Sequence, residues 1–158
     1  MKRFFFGVLM LLPLVGAQAA PLAVGDTLQP FTIADQHGKS AQVDQTTRLL
    51  MFSRDMTANK LAQAAFATKP AQYLPDAHAL YAIDVSGMPK FVTKTFAIPK
   101  MQKYVYRIFL DRDASVTTGL PAKKALVTLV HLDQLKVTGV DYASTADALT
   151  RAVEGTRP

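Results

Sequence analysis

A continuous apolar run followed by a helical pattern constrains the fold of this chain more than any other feature. Residues 48–53 (RLLMFS) have strand length and carry apolar side chains on both faces, which predicts a strand buried inside a sheet. Asp55 or Thr57 can then cap a helix. Apolar residues of that helix recur at three- and four-residue spacing and build one face: Ala58, Leu61, Ala62, Ala65 and Phe66. Another apolar strand, residues 79–83, follows, so the two strands are expected to pair in parallel through a right-handed crossover.

The remaining patterns add short strands on both sides of this unit. Two strand-length segments, 31–34 and 40–43, flank the turn at 35–39, which predicts a β-hairpin. Three more strand patterns follow: residues 104–110, 125–130 and 135–142. A final helix begins after a capping residue at Ser144. Together these elements predict an α/β fold, with one mixed β-sheet flanked by helices and an N-terminal β-hairpin.

Two connecting segments carry weaker signals. Residues 71–75 are predicted to form a loop after the first helix. Ser86 can cap a short helix that has Pro89 in its first turn. Three apolar side chains of this short helix are predicted to face inward: Phe91, Val92 and Phe96.

The N-terminus is typical of a secretory signal peptide. Lys2 and Arg3 precede an apolar stretch, residues 4–15, and Ala17-Gln18-Ala19 has the small residues that a signal peptidase requires. Residues 1–19 are therefore predicted to be a signal peptide cleaved near Ala19. Residues 20–158 are expected to form a single exported domain, placed in the periplasm.

The order of elements resembles the thioredoxin superfamily, especially its exported reductase-like and peroxiredoxin-like branches. The motifs are Val24-Gly25-Asp26 ahead of Phe31, the hairpin turn at 35–39, the strand ending in Phe52-Ser53, and Leu120-Pro121 before a strong strand. The overall pattern is also similar to the exported YtfJ-like group of thioredoxin-fold proteins, although none of its specific motifs is matched. The resemblance implies a thioredoxin-like fold over most of residues 20–158.

The resemblance would imply thiol chemistry, but this chain lacks the cysteines that perform it. Members of the superfamily carry a Cys-x-x-Cys where the central strand meets the next helix, and the helix N-terminus there stabilises the thiolate. The matching residues here are 56–59, with Met56 and Asn59 in place of the two thiols, and the chain contains no cysteine at all. A thioether sulfur cannot form a thiolate, so cysteine-based exchange and peroxidase activity are excluded.

The resemblance also suggests a place where a partner can bind. Superfamily members have a cis-proline opposite the redox site, and Leu120-Pro121 matches that position. The backbone beside this proline pairs with extended peptides in the family, so the resemblance implies a docking groove between residues 56–59 and Leu120-Pro121.

Other kinds of site find no support in the residues. The three histidines, His37, His78 and His131, lack metal-ligand spacing, and no Gly-rich phosphate loop is present. No metal site and no cofactor are therefore predicted. The net charge of +6 includes the two cations of the signal, and nucleic acid is not expected as a partner of an exported protein.

A basic stretch is the last candidate site. Five cations, Lys90, Lys94, Lys100, Lys103 and Arg107, fall in a segment without any acidic residue. Either this is a solvated surface, or it is a docking face for an acidic protein or for anionic lipid headgroups.

Three functional hypotheses follow. The first is a non-catalytic binding or accessory module that recognises a periplasmic protein or peptide. The second is a redox- or metal-handling protein that uses a bound cofactor instead of thiols. The third is a factor that contacts the membrane periphery through its basic stretch.

Overall fold

The computed structural model describes residues 20–157, and the predicted hairpin is its first pair of strands. Strands β1 (Phe31–Ala34) and β2 (Ser40–Val43) pair antiparallel, which confirms the hairpin. The predicted signal peptide, residues 1–19, lies outside the described residues.

A five-stranded mixed sheet forms the centre of the molecule. Its strands are β3 (Leu49–Ser53), β4 (Ala79–Asp84), β5 (Phe109–Asp111), β6 (Val127–Asp133) and β7 (Lys136–Ala143). The strands lie side by side in the order β5-β4-β3-β6-β7. β3, β4 and β5 are parallel, whereas β6 pairs antiparallel with both β3 and β7. The predicted mixed sheet with a parallel crossover is confirmed.

The helices flank this sheet. They are α1 (Met56–Phe66), α2 (Tyr73–Asp76), α3 (Lys90–Val92), a π-helical turn (Thr93–Ala97), α4 (Ile98–Met101) and α5 (Ala146–Glu154). The predicted loop at 71–75 was wrong, because most of it lies within α2. The cap of α5 is Thr145, whose hydroxyl accepts a hydrogen bond from the Ala148 N–H, and not Ser144.

Alternate residues of β3 face opposite sides of the sheet, and both sides are buried, which explains its continuous apolar run. Leu49 and Met51 belong to the buried cluster that also contains residues of α1 and α5, whereas Leu50 and Phe52 belong to the cluster beneath the hairpin. Every residue of β3 is buried, since the sheet is covered on both faces. The sheet therefore fixes the position of the end of β3 and of the start of α1, which follows it along the chain.

The hairpin covers the β5 edge of the sheet. Gln36 accepts a hydrogen bond from the Ile108 N–H at 2.9 Å and donates to the Tyr106 carbonyl at 3.0 Å. The Gln36 N–H also donates to the Ile108 carbonyl at 3.0 Å, and the strand predicted at 104–110 is limited to β5. An edge strand that would otherwise offer unpaired backbone groups is partly protected in this way.

The helical segment 90–101 is rotated relative to the prediction. Thr93 and Met101 are buried, whereas Phe91, Val92 and Phe96 are exposed. Met101 inserts into the cluster beneath α1, and this contact sets which side of the segment faces the sheet. The predicted inward orientation of Phe91, Val92 and Phe96 was therefore wrong.

Pro99 accounts for the π-helical turn within this segment. A proline cannot donate the hydrogen bond to the carbonyl four residues before it, and its ring collides with that carbonyl. Here that carbonyl belongs to Thr95, in the middle of the turn, which opens to the wider i to i+5 pattern. The wider turn changes which side chains share one side of the segment.

Candidate functional site

The start of α1 contains the residues that were predicted to match the redox site of the superfamily. Asp55 caps the helix, with Oδ1 accepting hydrogen bonds from the N–H groups of Thr57 and Ala58, both at 2.9 Å. Its other oxygen, Oδ2, accepts a hydrogen bond from the Ala125 N–H at 2.8 Å. A carboxylate of the chain itself therefore occupies the helix end that favours a thiolate in the superfamily.

Met56 and Asn59, predicted to replace the two thiols, lie in different environments. The Met56 side chain points outward and is 43 % exposed, whereas Asn59 is buried. The Tyr81 hydroxyl donates to Asn59 Oδ1 at 3.3 Å and lies 2.7 Å from the Ser53 hydroxyl. Burial raises the pKa of Tyr81, which keeps the hydroxyl protonated as a donor. Asn59 thus belongs to a structural network, and Met56 alone is accessible to a partner.

Leu120 and Pro121, on the other side of the predicted groove, are held by local contacts. Leu120 is buried in the cluster beneath the hairpin, and the Pro121 carbonyl accepts a hydrogen bond from the Thr128 hydroxyl at 2.7 Å. The cis bond that the resemblance implies is not found, since residues 20–157 contain no cis peptide bond. The loop after Pro121 is tied to the start of α1 by the Asp55–Ala125 hydrogen bond.

The five predicted basic residues do not form one set. Lys90, Lys94, Lys100 and Lys103 are exposed, but Arg107 forms an ion pair with Asp35 at 2.8 Å and lies over the Phe109 ring. Burial raises the pKa of Asp35, but hydrogen bonds from Arg107 and from backbone N–H groups outweigh it, so the pKa is lowered. Arg107 therefore attaches the hairpin to the residues before β5, unlike the four lysines.

An exposed aromatic pair is the feature that the sequence pattern missed. The rings of Phe91 and Phe96 lie 6.0 Å apart, nearly perpendicular, with 69 % and 61 % of these residues exposed. In an α-helix, residues five apart point to different sides, whereas the π-helical turn brings them together. Pro99 inside a helical pattern was the available signal. We call the exposed side chains of residues 90–103 the 90–103 surface.

A cavity lies beside this surface, at the carboxyl ends of β4 and β5. Its volume is about 360 Å³. Its wall combines apolar and cationic side chains: Val85, Met88, Ile98, Lys90, Lys94 and Arg112. We call it the strand-end cavity.

The described residues show no arrangement for binding a metal ion. Within residues 20–157, no group of three or more His, Asp or Glu side chains is placed to do so. His131 contacts Asp141 at 3.3 Å. Over the same residues, no helix combines the length and the apolar composition that a bilayer crossing requires.

Comparisons with known proteins identify the fold. No family model and no curated protein sequence matches the chain. Solved structures do match: peroxidoxin BcpB from Mycobacterium tuberculosis has a TM-score of 0.53 and 17 % identity, and the match covers 85 % of this chain and 98 % of that one. The thioredoxin domain of a thiol-disulfide oxidoreductase from Bacteroides vulgatus matches with a TM-score of 0.53 and 16 % identity, and the match covers 87 % of this chain and 99 % of that one. A peroxiredoxin-like protein from Aquifex aeolicus matches with a TM-score of 0.53 and 11 % identity, and the match covers 87 % of this chain and 90 % of that one.

These matches confirm the predicted thioredoxin-like fold. The sheet and the hairpin correspond to those of proteins whose names refer to thiol and peroxide chemistry. The present chain has no cysteine to perform such chemistry.

Proposed function

We propose that this cysteine-free chain of thioredoxin-like fold is an exported, non-catalytic binding or accessory protein. Its partner presents an anionic surface and docks on the 90–103 surface. The single observation that carries the proposal is the exposed pair Phe91 and Phe96 inside a segment whose only charges are positive.

The exposed aromatic pair is costly to leave in water. Covering a phenylalanine side chain contributes about 1.5–3 kcal/mol. Adjacent exposed apolar side chains rimmed by polar groups mark interaction sites, whereas single ones do not. Val92 lies in the same segment and is also exposed. A partner that covered these three side chains would gain most of this free energy.

The charge of the segment specifies the partner. Residues 85–110 contain no acidic side chain, and Lys90, Lys94, Lys100 and Lys103 are exposed. An acidic protein or peptide, or an anionic lipid surface, has the complementary charge. Lysine is depleted in protein–protein interfaces, which favours lipid headgroups over protein.

The non-catalytic part of the proposal rests on the start of α1. Asp55 satisfies N–H groups of the helix end and also binds the Ala125 N–H. An anionic reactant would meet a carboxylate there instead of unpaired donors. Met56 remains accessible, so this end of the molecule is the second place where a periplasmic peptide can dock.

Single-cysteine variants test the proposal, because the natural chain has no cysteine to compete for a label. Phe96→Cys and Met56→Cys carry a maleimide photocrosslinker, and Thr138→Cys, exposed on the opposite edge strand, is the matched control. The labelled proteins are crosslinked in the periplasm of the native host. We expect a protein or lipid adduct from position 96 and none from position 138.

Each other result has a defined meaning. An adduct from position 56 alone would move the docking site to the start of α1. Equal adducts from positions 96 and 138, or none from either 96 or 56, would contradict the binding function. Addition of anionic and zwitterionic vesicles to the purified protein labelled at position 96 separates a lipid surface from an acidic protein.

The alternative of a redox- or metal-handling protein with a bound cofactor gains no support from the described residues. It rests on the fold alone, and a fold does not determine a function.

A further inference from the structure

We infer that the strand-end cavity binds a small organic anion with an apolar tail, of the class of medium-chain carboxylates. This ligand site shares Lys90 and Lys94 with the 90–103 surface of the proposed function, but it does not include the exposed aromatic pair. The inference rests on where the cavity lies, on its charge and on its apolar wall.

The cavity lies where parallel sheets commonly bind ligands. Val85 and Ser86 directly follow β4, and Arg112 directly follows β5. These two strands are parallel neighbours, so their carboxyl ends open to the same side. Crevices at the carboxyl ends of parallel strands are the usual ligand sites of α/β sheets.

The charge of the cavity is positive and has no counterpart in its wall. Lys90, Lys94 and Arg112 line it, and no acidic side chain does. Among residues 20–157, these three cations form no salt bridge with a carboxylate. An anion placed in the cavity would therefore meet three cations within a small volume.

Three carboxylates adjoin the lining residues in sequence, Asp84, Asp111 and Asp113, and Asp113 accepts a hydrogen bond from the Ser115 N–H at 3.2 Å. Asp84 forms an ion pair with Arg54 at 3.3 Å and accepts a hydrogen bond from the Ser86 N–H at 2.9 Å. Asp111 accepts hydrogen bonds from the Thr117 N–H at 2.8 Å and from its hydroxyl at 2.7 Å. Among the described residues, none of the three forms a salt bridge with a lining cation.

The apolar wall of the cavity favours a ligand that also has a hydrocarbon part. Val85, Met88 and Ile98 offer hydrocarbon surface, and a volume of about 360 Å³ lies in the range of small-molecule sites. An inorganic anion would leave this surface unused. A carboxylate with a hydrocarbon tail places its charge among the cations and its tail against these three side chains.

The π-helical turn gives independent support. Thr93 and Lys94 belong to this turn, and both line the cavity. Single π-helical turns are frequent at functional sites, where the wider turn repositions side chains. In this chain the turn places Lys94 beside the cavity while it holds Phe96 on the exposed side.

Three probes of equal chain length test the inference by amide NMR: octanoate, 1-octanol and octylammonium. We expect octanoate to cause saturable shifts of the Val85, Ser86 and Thr93 amide signals. Octanol should bind at least tenfold more weakly because it lacks the charge, and octylammonium should cause no such shifts. Equal affinities for octanoate and octanol would overturn the inference.

Matched variants locate the site. Lys94→Met together with Arg112→Met should weaken octanoate binding at least tenfold, whereas Lys94→Arg together with Arg112→Lys should retain it. Phe91→Ser together with Phe96→Ser should leave octanoate binding unchanged, even if it abolishes docking on the 90–103 surface. Unchanged binding in the methionine variant, or shifts centred on Phe91 and Phe96, would contradict the proposed site. A dispersed spectrum confirms that each variant is folded.

Discussion

At the scale of single residues, Asp55 makes the most contacts at the start of α1. Its two oxygens hold three backbone N–H groups, two in the first turn of α1 and one in the loop before β6. The helix end that favours an anion is thus satisfied within the chain. The proposal that this end is non-catalytic rests on the same carboxylate that stabilises it.

Replacing Asp55 tests this double role. Asp55→Ala removes the helix cap and leaves the Ala125 N–H without its acceptor, so we expect a loss of about 2 kcal/mol in the free energy of unfolding, measured in urea. Thr145→Ala is the matched control, because Thr145 caps α5 through a single hydrogen bond, and about 1 kcal/mol is expected. Equal losses in the two variants would show that the contact with Ala125 stabilises nothing.

At the scale of elements, the segment 90–101 has an orientation that its apolar pattern did not predict. Its buried side is formed by Thr93 and Met101, and its aromatic residues point outward. Pro99 opens the π-helical turn, and this brings Phe91 and Phe96 together. The segment therefore packs against the rest of the molecule through Thr93 and Met101, and its two aromatic rings remain exposed to solvent.

The exposure of these rings has a direct consequence for stability. Phe96→Ser should change the free energy of unfolding by less than about 0.5 kcal/mol, because the side chain contacts mainly water. Phe66→Ala, in the fully buried end of α1, should cost about 3–5 kcal/mol. Urea denaturation of both variants measures the contrast. A loss of unfolding free energy for Phe96→Ser close to that for Phe66→Ala would show that the Phe96 side chain is buried and would contradict the prediction.

At the scale of the whole molecule, the hairpin is joined to the sheet by contacts far apart in sequence. Asp35 and Arg107 form their ion pair across the junction, and Gln36 bonds to the backbone beside β5. Asp35 also accepts hydrogen bonds from the N–H groups of His37 and Lys39 in the hairpin turn. The same carboxylate thus shapes the turn and attaches the hairpin.

This junction predicts a loss of stability in acid. Because the pKa of Asp35 is lower in the folded chain than its ordinary value of 3.8, its ionised form stabilises the fold. That contribution is fully present above about pH 4 and is lost as the pH falls through the lowered pKa. Asp35→Asn should therefore reduce stability at pH 7 and flatten its decline below pH 4. Thermal unfolding across pH 2–7 measures both effects, and parallel curves for the variant and the natural protein would contradict the prediction.

Much of the architecture was readable from local patterns. The alternation of β3, α1 and β4, the hairpin, and the late antiparallel pair all followed from periodicity and turn residues. These signals are local because a strand or a helix shows its buried face in its own sequence. The absence of cysteine excludes thiol chemistry by composition alone, because no arrangement of the chain can supply a missing thiol.

Only the tertiary structure decided which candidate residues are available to a partner. Arg107 is bound to Asp35, Asn59 is buried, and the Asp55 carboxylate reaches Ala125. The contacts of Arg107 and Asp55 join residues about 70 positions apart, so no local pattern records them. The sequence by itself determined the order and type of most elements, because periodicity is local; α2 and the shortened β5 are exceptions. Pro99 is a local cause of the π-helical turn, but the rotation of the 90–101 segment was decided by packing, because Met101 inserts into a cluster whose other members come from distant parts of the chain.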